Sequence, residues 1–157
     1  MLNIEDGDSA YGARLVTDES YECGQLIHHI TQYRVTNQPT YQTIQIGRCH
    51  HIEDLGILAY LNHSCEPNTI VDTTALTVTA ARDIAPGEEL NFFYPSTEWK
   101  MDQPFICQCG AHPCLRLVAG AKYLSVDILS RYFLNEHVRE MLASSSSIRI
   151  AATARFK

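Results

Sequence analysis

Three cysteines in the stretch CQCGAHPC, namely Cys107, Cys109 and Cys114, constrain this chain more than any other feature of its sequence. Their C-x-C-x4-C spacing favours thiolate ligation of a metal, and a closed structural zinc site takes four ligands. A fourth ligand must then arrive from elsewhere in the fold. The alternative is that three unrelated thiols happen to be close in sequence.

The sequence offers several candidates for the fourth ligand. His112 lies inside the loop itself, where ligands at 109, 112 and 114 would crowd one short turn. Cys23 and Cys49 lie in strand-like segments, where buried thiols are ordinary core residues. Cys65 lies in the polar, turn-prone string NHSCEPN, and a core cysteine rarely has such neighbours.

Length and composition predict one intracellular domain with reduced thiols. The 157 residues are 45 % hydrophobic, which suffices for a substantial core. The opening MLNIEDGDSAYGARL lacks the charged and apolar regions of a signal peptide. No apolar run approaches the ~18 residues of a membrane span, so we expect no membrane partner. Clustered cysteines in such a compartment favour metal ligation over disulfides.

The charge distribution argues against direct nucleic-acid binding. The net charge is −6, and the 12 lysines and arginines form no basic stripe that could neutralise phosphates. An acidic surface tolerates a basic partner. The chain also lacks a basic cluster of the nuclear-localisation type, which leaves nucleus and cytoplasm as alternatives.

Residue patterns predict a mainly β fold with a C-terminal helix. SYECGQLIHHI and YQTIQIG read as strands, and TALTVTAARDI alternates as a half-buried strand does, with Leu76, Val78 and Ala80 on one side. APGEELNFFY is a Pro-Gly turn that leads into an apolar run. SVDILSRYFLNEHVREML has apolar residues at helical spacing, and ASSSSIRIAATARFK is typical of a loose tail.

Three strings together resemble the SET-domain family of S-adenosylmethionine-dependent lysine methyltransferases. YLNHSCEPNT, ARDIAPGEELNFFY and CQCGAHPC match, in order, the family's N-H-S-C-x-P-N motif, its G-E-E-L-x-x-x-Y motif and its post-SET C-x-C-x4-C segment. SAYGARLVTDESYECGQLI resembles the family's opening G-x-G strand and hairpin. The resemblance covers residues 8–118 and implies a mainly β fold of short curved sheets with a pseudoknot and a short C-terminal helix.

The resemblance also divides the chain. It implies a SET domain over 1–106 and a post-SET zinc segment over 107–118. A helical extension over 119–142 and a flexible tail over 143–157 follow. The pseudoknot would bring the NHSC string and the end of GEELNFFY together.

Site residues follow from the resemblance by position. It implies that Cys65 is the fourth zinc ligand, beside the three cysteines of the post-SET segment. Tyr94 matches the catalytic tyrosine. Glu88 and Glu89 read as a solvated turn pair without a catalytic role. The cofactor-binding positions match Ala10, Tyr11, Gly12, Asn62 and His63.

The chain departs from the family pattern at several positions. Ala10 replaces the first glycine of G-x-G, Ala59 stands where a basic residue is common, and Phe93 stands where a polar one is common. The insert over 33–41 is very short, which implies an open substrate groove or an acceptor other than a histone tail.

We expect a zinc-tethered methyltransferase that uses S-adenosylmethionine to methylate an exposed lysine of a histone or another protein. One alternative is an enzyme that acts on a small molecule, since Phe92, Phe93 and Trp99 near the channel would suit an apolar ligand. The other alternative is a non-catalytic binding module with a SET fold.

Overall fold

Twelve short strands form five small sheets in the part of the chain that the computed structural model describes, residues 1–7, 12–112 and 114–154. Ala10 and Tyr11 therefore lie outside the described residues. The sheets are β1-β2, β3-β9-β8, β4-β6-β5, β7-β10 and β11-β12. The strands are β1 (Leu2–Glu5), β2 (Arg14–Thr17), β3 (Leu26–His29), β4 (Arg34–Thr36), β5 (Ile44–Gln45), β6 (His51–Glu53), β7 (Asn62–His63), β8 (Thr69–Asp72), β9 (Thr77–Ala80), β10 (Asn91–Phe92), β11 (Phe105–Ile106) and β12 (Leu117–Val118).

Helices are few and short except at the C-terminus. Three 3-10 turns span Gly56–Tyr60, Tyr94–Ser96 and Ala121–Tyr123, and the α-helices are α1 (Val126–Leu129) and α2 (Glu136–Ala154). Within the described residues, no helix has the length and apolar character to cross a bilayer. The predicted mainly β fold is confirmed.

The alternating strand predicted in TALTVTAARDI is confirmed as β9. Val78 and Ala80 are buried and Thr77 and Thr79 are half-buried, because successive side chains of a strand face opposite sides. β9 pairs antiparallel with both β3 and β8, so it lies at the centre of its sheet. Its apolar face packs into the main core, together with residues such as Leu15, Ile52, Val71 and Leu90.

A parallel pairing joins the two predicted catalytic motifs. β7, from the NHSC string, pairs with β10, from the GEELNFFY string, with Asn62 opposite Asn91 and His63 opposite Phe92. The amide side chains of Asn68 and Asn91 reinforce this pairing, since each accepts the other residue's backbone N–H, at 2.9 and 3.2 Å. Segments about thirty residues apart are thereby held side by side.

A second, smaller core lies under the C-terminal extension. It consists of Phe93, Ala121, Leu129 and Val138, all nearly inaccessible to solvent. Tyr132 stacks on the Phe93 ring with centroids 3.6 Å apart. This packing explains why an apolar residue stands at position 93.

The single helix predicted over 125–142 is interrupted. α1 begins after Ser125, whose hydroxyl accepts the Ile128 N–H, and it ends at Leu129. The break ends at Asn135, which forms tertiary hydrogen bonds that apolar periodicity does not encode. α2 then continues through the boundary predicted between extension and tail, as far as Ala154.

Asn135 ties the C-terminal extension to the body of the protein. Its Oδ1 accepts the N–H of Thr73 at 2.8 Å, and its Nδ2 donates to the carbonyls of Val71 and Ser96 at 2.9 and 3.0 Å. The residue is 1 % exposed. Buried amides that are fully hydrogen-bonded contribute strongly because their loss leaves several polar groups unpaired.

We expect Asn135→Ala to lower the free energy of unfolding by about 3 kcal/mol, since the buried N–H and hydroxyl of Thr73 lose their acceptor and the Val71 carbonyl loses a donor. Urea unfolding followed by circular dichroism measures the change. Asn37→Ala, at an exposed position, serves as the control and should change stability by less than about 0.5 kcal/mol. A loss below about 1 kcal/mol for Asn135→Ala would contradict the anchoring role.

Candidate active site and metal centre

Four cysteine sulfurs converge in the structure. Cys65, just after β7, meets the three cysteines that follow β11, and all four Sγ atoms lie within 4.8 Å of one another. The Sγ atoms of Cys65 and Cys107 are 3.8 Å apart. His112 is not part of the cluster, and Cys23 and Cys49 are exposed.

The geometry of the cluster fits zinc. Four sulfurs at 2.3 Å from a tetrahedral Zn²⁺ are separated by about 3.8 Å, close to the spacing of Cys65 and Cys107. Backbone N–H groups already point at the sulfurs: Leu115 donates to Cys65 at 3.4 Å and Arg116 to Cys114 at 3.4 Å. An all-sulfur set favours a soft metal over Mg²⁺ or Ca²⁺.

The pKa values of Cys65 and Cys109 are shifted in opposite directions. Burial raises the pKa of Cys65, and the neighbouring thiolates reinforce this effect. Burial opposes ionisation of Cys109 as well, but hydrogen bonds from the N–H groups of Cys65 and Ala111 outweigh it and lower the pKa of Cys109 to about 7. A bound cation would favour the thiolate form of all four cysteines.

His63 connects the cysteine cluster to Tyr94. Its Nδ1 accepts the backbone N–H of Tyr94 at 3.2 Å, so in the neutral ring the proton resides on Nε2. Nε2 lies 3.3 Å from Cys65 Sγ and can donate to it. Burial lowers the pKa of His63 to about 4, which keeps the ring neutral. His63 therefore contacts Cys65 through one nitrogen and positions the Tyr94 backbone through the other.

Tyr94 lies at the centre of an aromatic group. Its hydroxyl donates to the carbonyl of Leu61 at 2.9 Å, directly before Asn62. Its ring contacts Phe92, with centroids 4.8 Å apart, and makes edge contacts with His63 and Phe105 at 5.3 and 6.0 Å. Rings on several sides restrict the motion of the hydroxyl.

Asn62 is held by partners that the sequence did not indicate. Its Nδ2 donates to the Ala13 carbonyl at 3.2 Å and to Glu89 Oε1 at 2.9 Å. Glu89 is therefore a positioning residue for Asn62, whereas Glu88 pairs with Arg82 at the surface, as expected of a turn residue. Ala13 directly follows Gly12, which has a φ of +77°. Because Asn62 donates to the Ala13 carbonyl, the described end of the predicted cofactor strand lies beside Asn62.

A cavity of about 550 Å³ brings these groups together. Its lining includes Asn62, His63 and Tyr94 from the predicted site, and the segment 39–44, which begins in the short insert. Of the three apolar residues expected near the channel, Phe92 lines the cavity, whereas Phe93 and Trp99 pack in the second core. Its volume is in the range of cofactor and ligand sites.

Glu98 is a charged cavity residue that the sequence did not indicate. Glu98 lines the cavity from the loop after Tyr94, and its Oε1 accepts the backbone N–H of Gln45 at 2.8 Å. Within the string EWKMDQP it resembles any solvated loop carboxylate, and only the tertiary structure encloses it.

Comparison with known proteins supports the resemblance. Residues 7–95 match the SET domain family. Methyltransferase flvH of Aspergillus flavus is 40 % identical over 144 residues, which cover 90 % of this chain and 81 % of that protein. The putative histone-lysine N-methyltransferase ASHH4 of Arabidopsis thaliana is 42 % identical over 69 residues, 40 % of this chain and 19 % of that protein.

Solved structures share the fold. The methyltransferase domain of human histone-lysine N-methyltransferase SETMAR superimposes with a TM-score of 0.57 at 22 % identity, covering 76 % of this chain and 58 % of that one. KRYPTONITE in complex with mCHG DNA and SAH gives 0.57 at 23 % identity, covering 74 % of this chain and 29 % of that one. The chain belongs to the SET-domain family, and its named relatives are methyltransferases.

Proposed function

We propose that this protein transfers a methyl group from S-adenosylmethionine to a lysine amine of a protein, histone or non-histone. The parallel pairing of β7 with β10 carries the proposal, because it places Asn62, His63 and Tyr94 around one cavity. Membership of the SET-domain family supports methyl transfer. Two KRYPTONITE structures that share the fold are described with SAH, the product of this cofactor, which supports its identity.

We assign the binding of the cofactor to one side of this cavity. The Asn62 side chain and the backbone around Gly12 and Ala13 lie there, and Ala10 and Tyr11 precede them in sequence. Asn62 Nδ2 already has two protein acceptors, so its Oδ1 is the atom that can accept from a ligand. When bound, S-adenosylmethionine supplies an electrophilic methyl group.

Tyr94 and its aromatic neighbours favour the reactive form of the acceptor. A lysine attacks as the neutral amine, although its free pKa is about 10.4. The Phe92, Tyr94 and Phe105 rings exclude water, and an apolar environment disfavours the ammonium form. The Tyr94 hydroxyl, oriented by the Leu61 carbonyl, then aligns the reacting groups for in-line displacement.

We further propose that Cys65, Cys107, Cys109 and Cys114 hold a structural zinc ion. Four protein ligands leave no open coordination position, so the ion would fix the post-SET segment and take no part in the chemistry. The post-SET segment over 107–118 would thereby be held against the site through Cys65 and His63. Free thiols at all six cysteines suit a reducing compartment inside the cell.

A small-molecule amine is the second candidate acceptor. The cavity volume of about 550 Å³ favours it, since this lies within the range of small-ligand sites. The short insert contributes only its end, residues 39–41, to the cavity lining.

Calorimetry on zinc-loaded protein tests the proposal. We expect S-adenosylmethionine and S-adenosylhomocysteine to bind at one saturable site, with a Kd between about 1 µM and 1 mM. Mass spectrometry of lysine peptides and free amines incubated with the cofactor then identifies the acceptor class. Absence of binding at millimolar cofactor, with zinc bound to four thiolates, would show a binding module rather than an enzyme.

A further inference from the structure

Glu98 is an enclosed carboxylate that no other part of the site accounts for. Its backbone is anchored on both sides, since its N–H donates to the Tyr94 carbonyl at 2.9 Å and its carbonyl accepts the Ala121 N–H at 2.9 Å. Its Oε1 accepts the Gln45 N–H at 2.8 Å and the Thr97 hydroxyl at 3.2 Å. Oε2 has no hydrogen-bond partner among the described residues, although the side chain lines the cavity. The carboxylate is rigidly positioned with one oxygen available.

Among the described residues, the rest of the cavity lining supplies no lysine or arginine to balance this charge. His63 also lines the cavity, and its Nδ1 carries no proton because it accepts the Tyr94 N–H. The only other carboxylate in the lining, Asp102, is exposed. A partly buried carboxylate without a partner cation is unfavourable in the empty cavity and becomes favourable when a ligand supplies the cation.

We propose that Glu98 is a specificity residue that binds the ammonium group of the methyl acceptor. The inference rests on the proposed function, in which the acceptor is an amine and approaches Tyr94. Glu98 belongs to the same short segment as Tyr94, separated from it by three residues whose backbone is hydrogen-bonded. The carboxylate attracts the ammonium that prevails in water. The aromatic rings around Tyr94 then favour the neutral amine, and the released proton passes to solvent. A neutral acceptor, such as an alcohol or a thiol, forms no ion pair with Glu98.

The ionisation of Glu98 agrees with this assignment. Burial raises its pKa to about 7, against the opposing effect of hydrogen bonds from Gln45 and Thr97. Above this pH the carboxylate is charged and can pair with a cation. An ammonium placed beside it favours the charged form further.

Binding of a simple amine tests the proposal without relying on catalysis. n-Butylamine, the side-chain analogue of lysine, and 1-butanol, its neutral counterpart, are titrated at pH 8 into the protein, with and without S-adenosylhomocysteine. We expect the wild type to bind butylammonium at least about tenfold more tightly than butanol, and Glu98→Gln to remove the preference. Asp102→Asn, which removes an exposed carboxylate of the same cavity, should retain it. Lack of an ammonium preference in the wild type, whether both ligands bind equally or neither binds, overturns the assignment.

The cation that pairs with Glu98 could instead be the sulfonium of S-adenosylmethionine, which S-adenosylhomocysteine lacks. The ratio of the two cofactor affinities separates these sources. If Glu98→Gln changes this ratio by tenfold and leaves amine binding unchanged, Glu98 recognises the cofactor and the proposal is wrong. If the ammonium preference is present but no amine is methylated, cation recognition stands and the proposed reaction fails.

Discussion

Tyr94→Phe is expected to lower the rate of methyl transfer by about 100-fold or more and to change cofactor affinity by less than about threefold. The substitution keeps the ring that packs against Phe92 and Phe105 but removes the hydroxyl that donates to the Leu61 carbonyl. Without that hydrogen bond, the reacting groups lose an oriented polar contact at the centre of the aromatic group. Single-turnover methyl transfer measured by mass spectrometry gives the rate, and calorimetry gives the affinity.

The matched control is Tyr41→Phe. Tyr41 also lines the cavity, but it is 72 % exposed, so removal of its hydroxyl should change the rate by less than about twofold. If Tyr94→Phe keeps the wild-type rate, Tyr94 has a packing role and the proposed chemistry is wrong. If it loses rate and cofactor binding together, the hydroxyl maintains the cavity rather than aligning the reaction.

Removal of zinc is expected to disorder the post-SET segment and to weaken cofactor binding by at least about tenfold. Structural zinc contributes directly to folding, so we expect chelation to lower the free energy of unfolding by more than about 3 kcal/mol. The effect reaches the cavity because His63 contacts both Cys65 Sγ and the Tyr94 backbone. Metal analysis, thermal unfolding and calorimetry before and after chelation measure the three quantities.

Single cysteine variants assign the ligands. Cys65→Ser and Cys109→Ser should each lose the stoichiometric zinc ion, whereas Cys49→Ser, at an exposed position outside the cluster, should keep one ion per chain. Cys65→Ser should also reduce cofactor affinity more than Cys109→Ser does, because Cys65 is the cysteine that His63 contacts. Retention of tightly bound zinc by Cys65→Ser would exclude Cys65 as the fourth ligand.

His63 joins the cysteine cluster and the aromatic site in one hydrogen-bonded unit. When Nε2 donates its proton to Cys65 Sγ, the tautomer of the neutral ring is fixed. Nδ1 is then the nitrogen that can accept the Tyr94 N–H. Loss of the proposed zinc ion is therefore expected to disorder the Tyr94 backbone as well. This coupling gives a physical reason for a structural ion beside a cavity where it takes no part in chemistry.

The local sequence was sufficient to predict a structural feature where neighbouring residues encode that feature. The alternation in TALTVTAARDI predicted β9, because strand side chains face opposite sides regardless of what covers them. The C-x-C-x4-C spacing indicated three thiols in one loop, and the ordered motifs indicated the family. The helix over 125–142 was only partly correct, since apolar spacing does not report the tertiary hydrogen bonds of Asn135.

By itself, then, the sequence determined the SET-domain family, the mainly β class and the residue types available for a metal and a cavity. Tertiary structure alone decided that Asn62 meets Glu89 and that Phe93 packs in the second core instead of the cavity. It also enclosed Glu98, which in sequence is an ordinary loop carboxylate. The reason is that long-range pairing, such as β7 with β10, fixes distances between segments that no local pattern encodes.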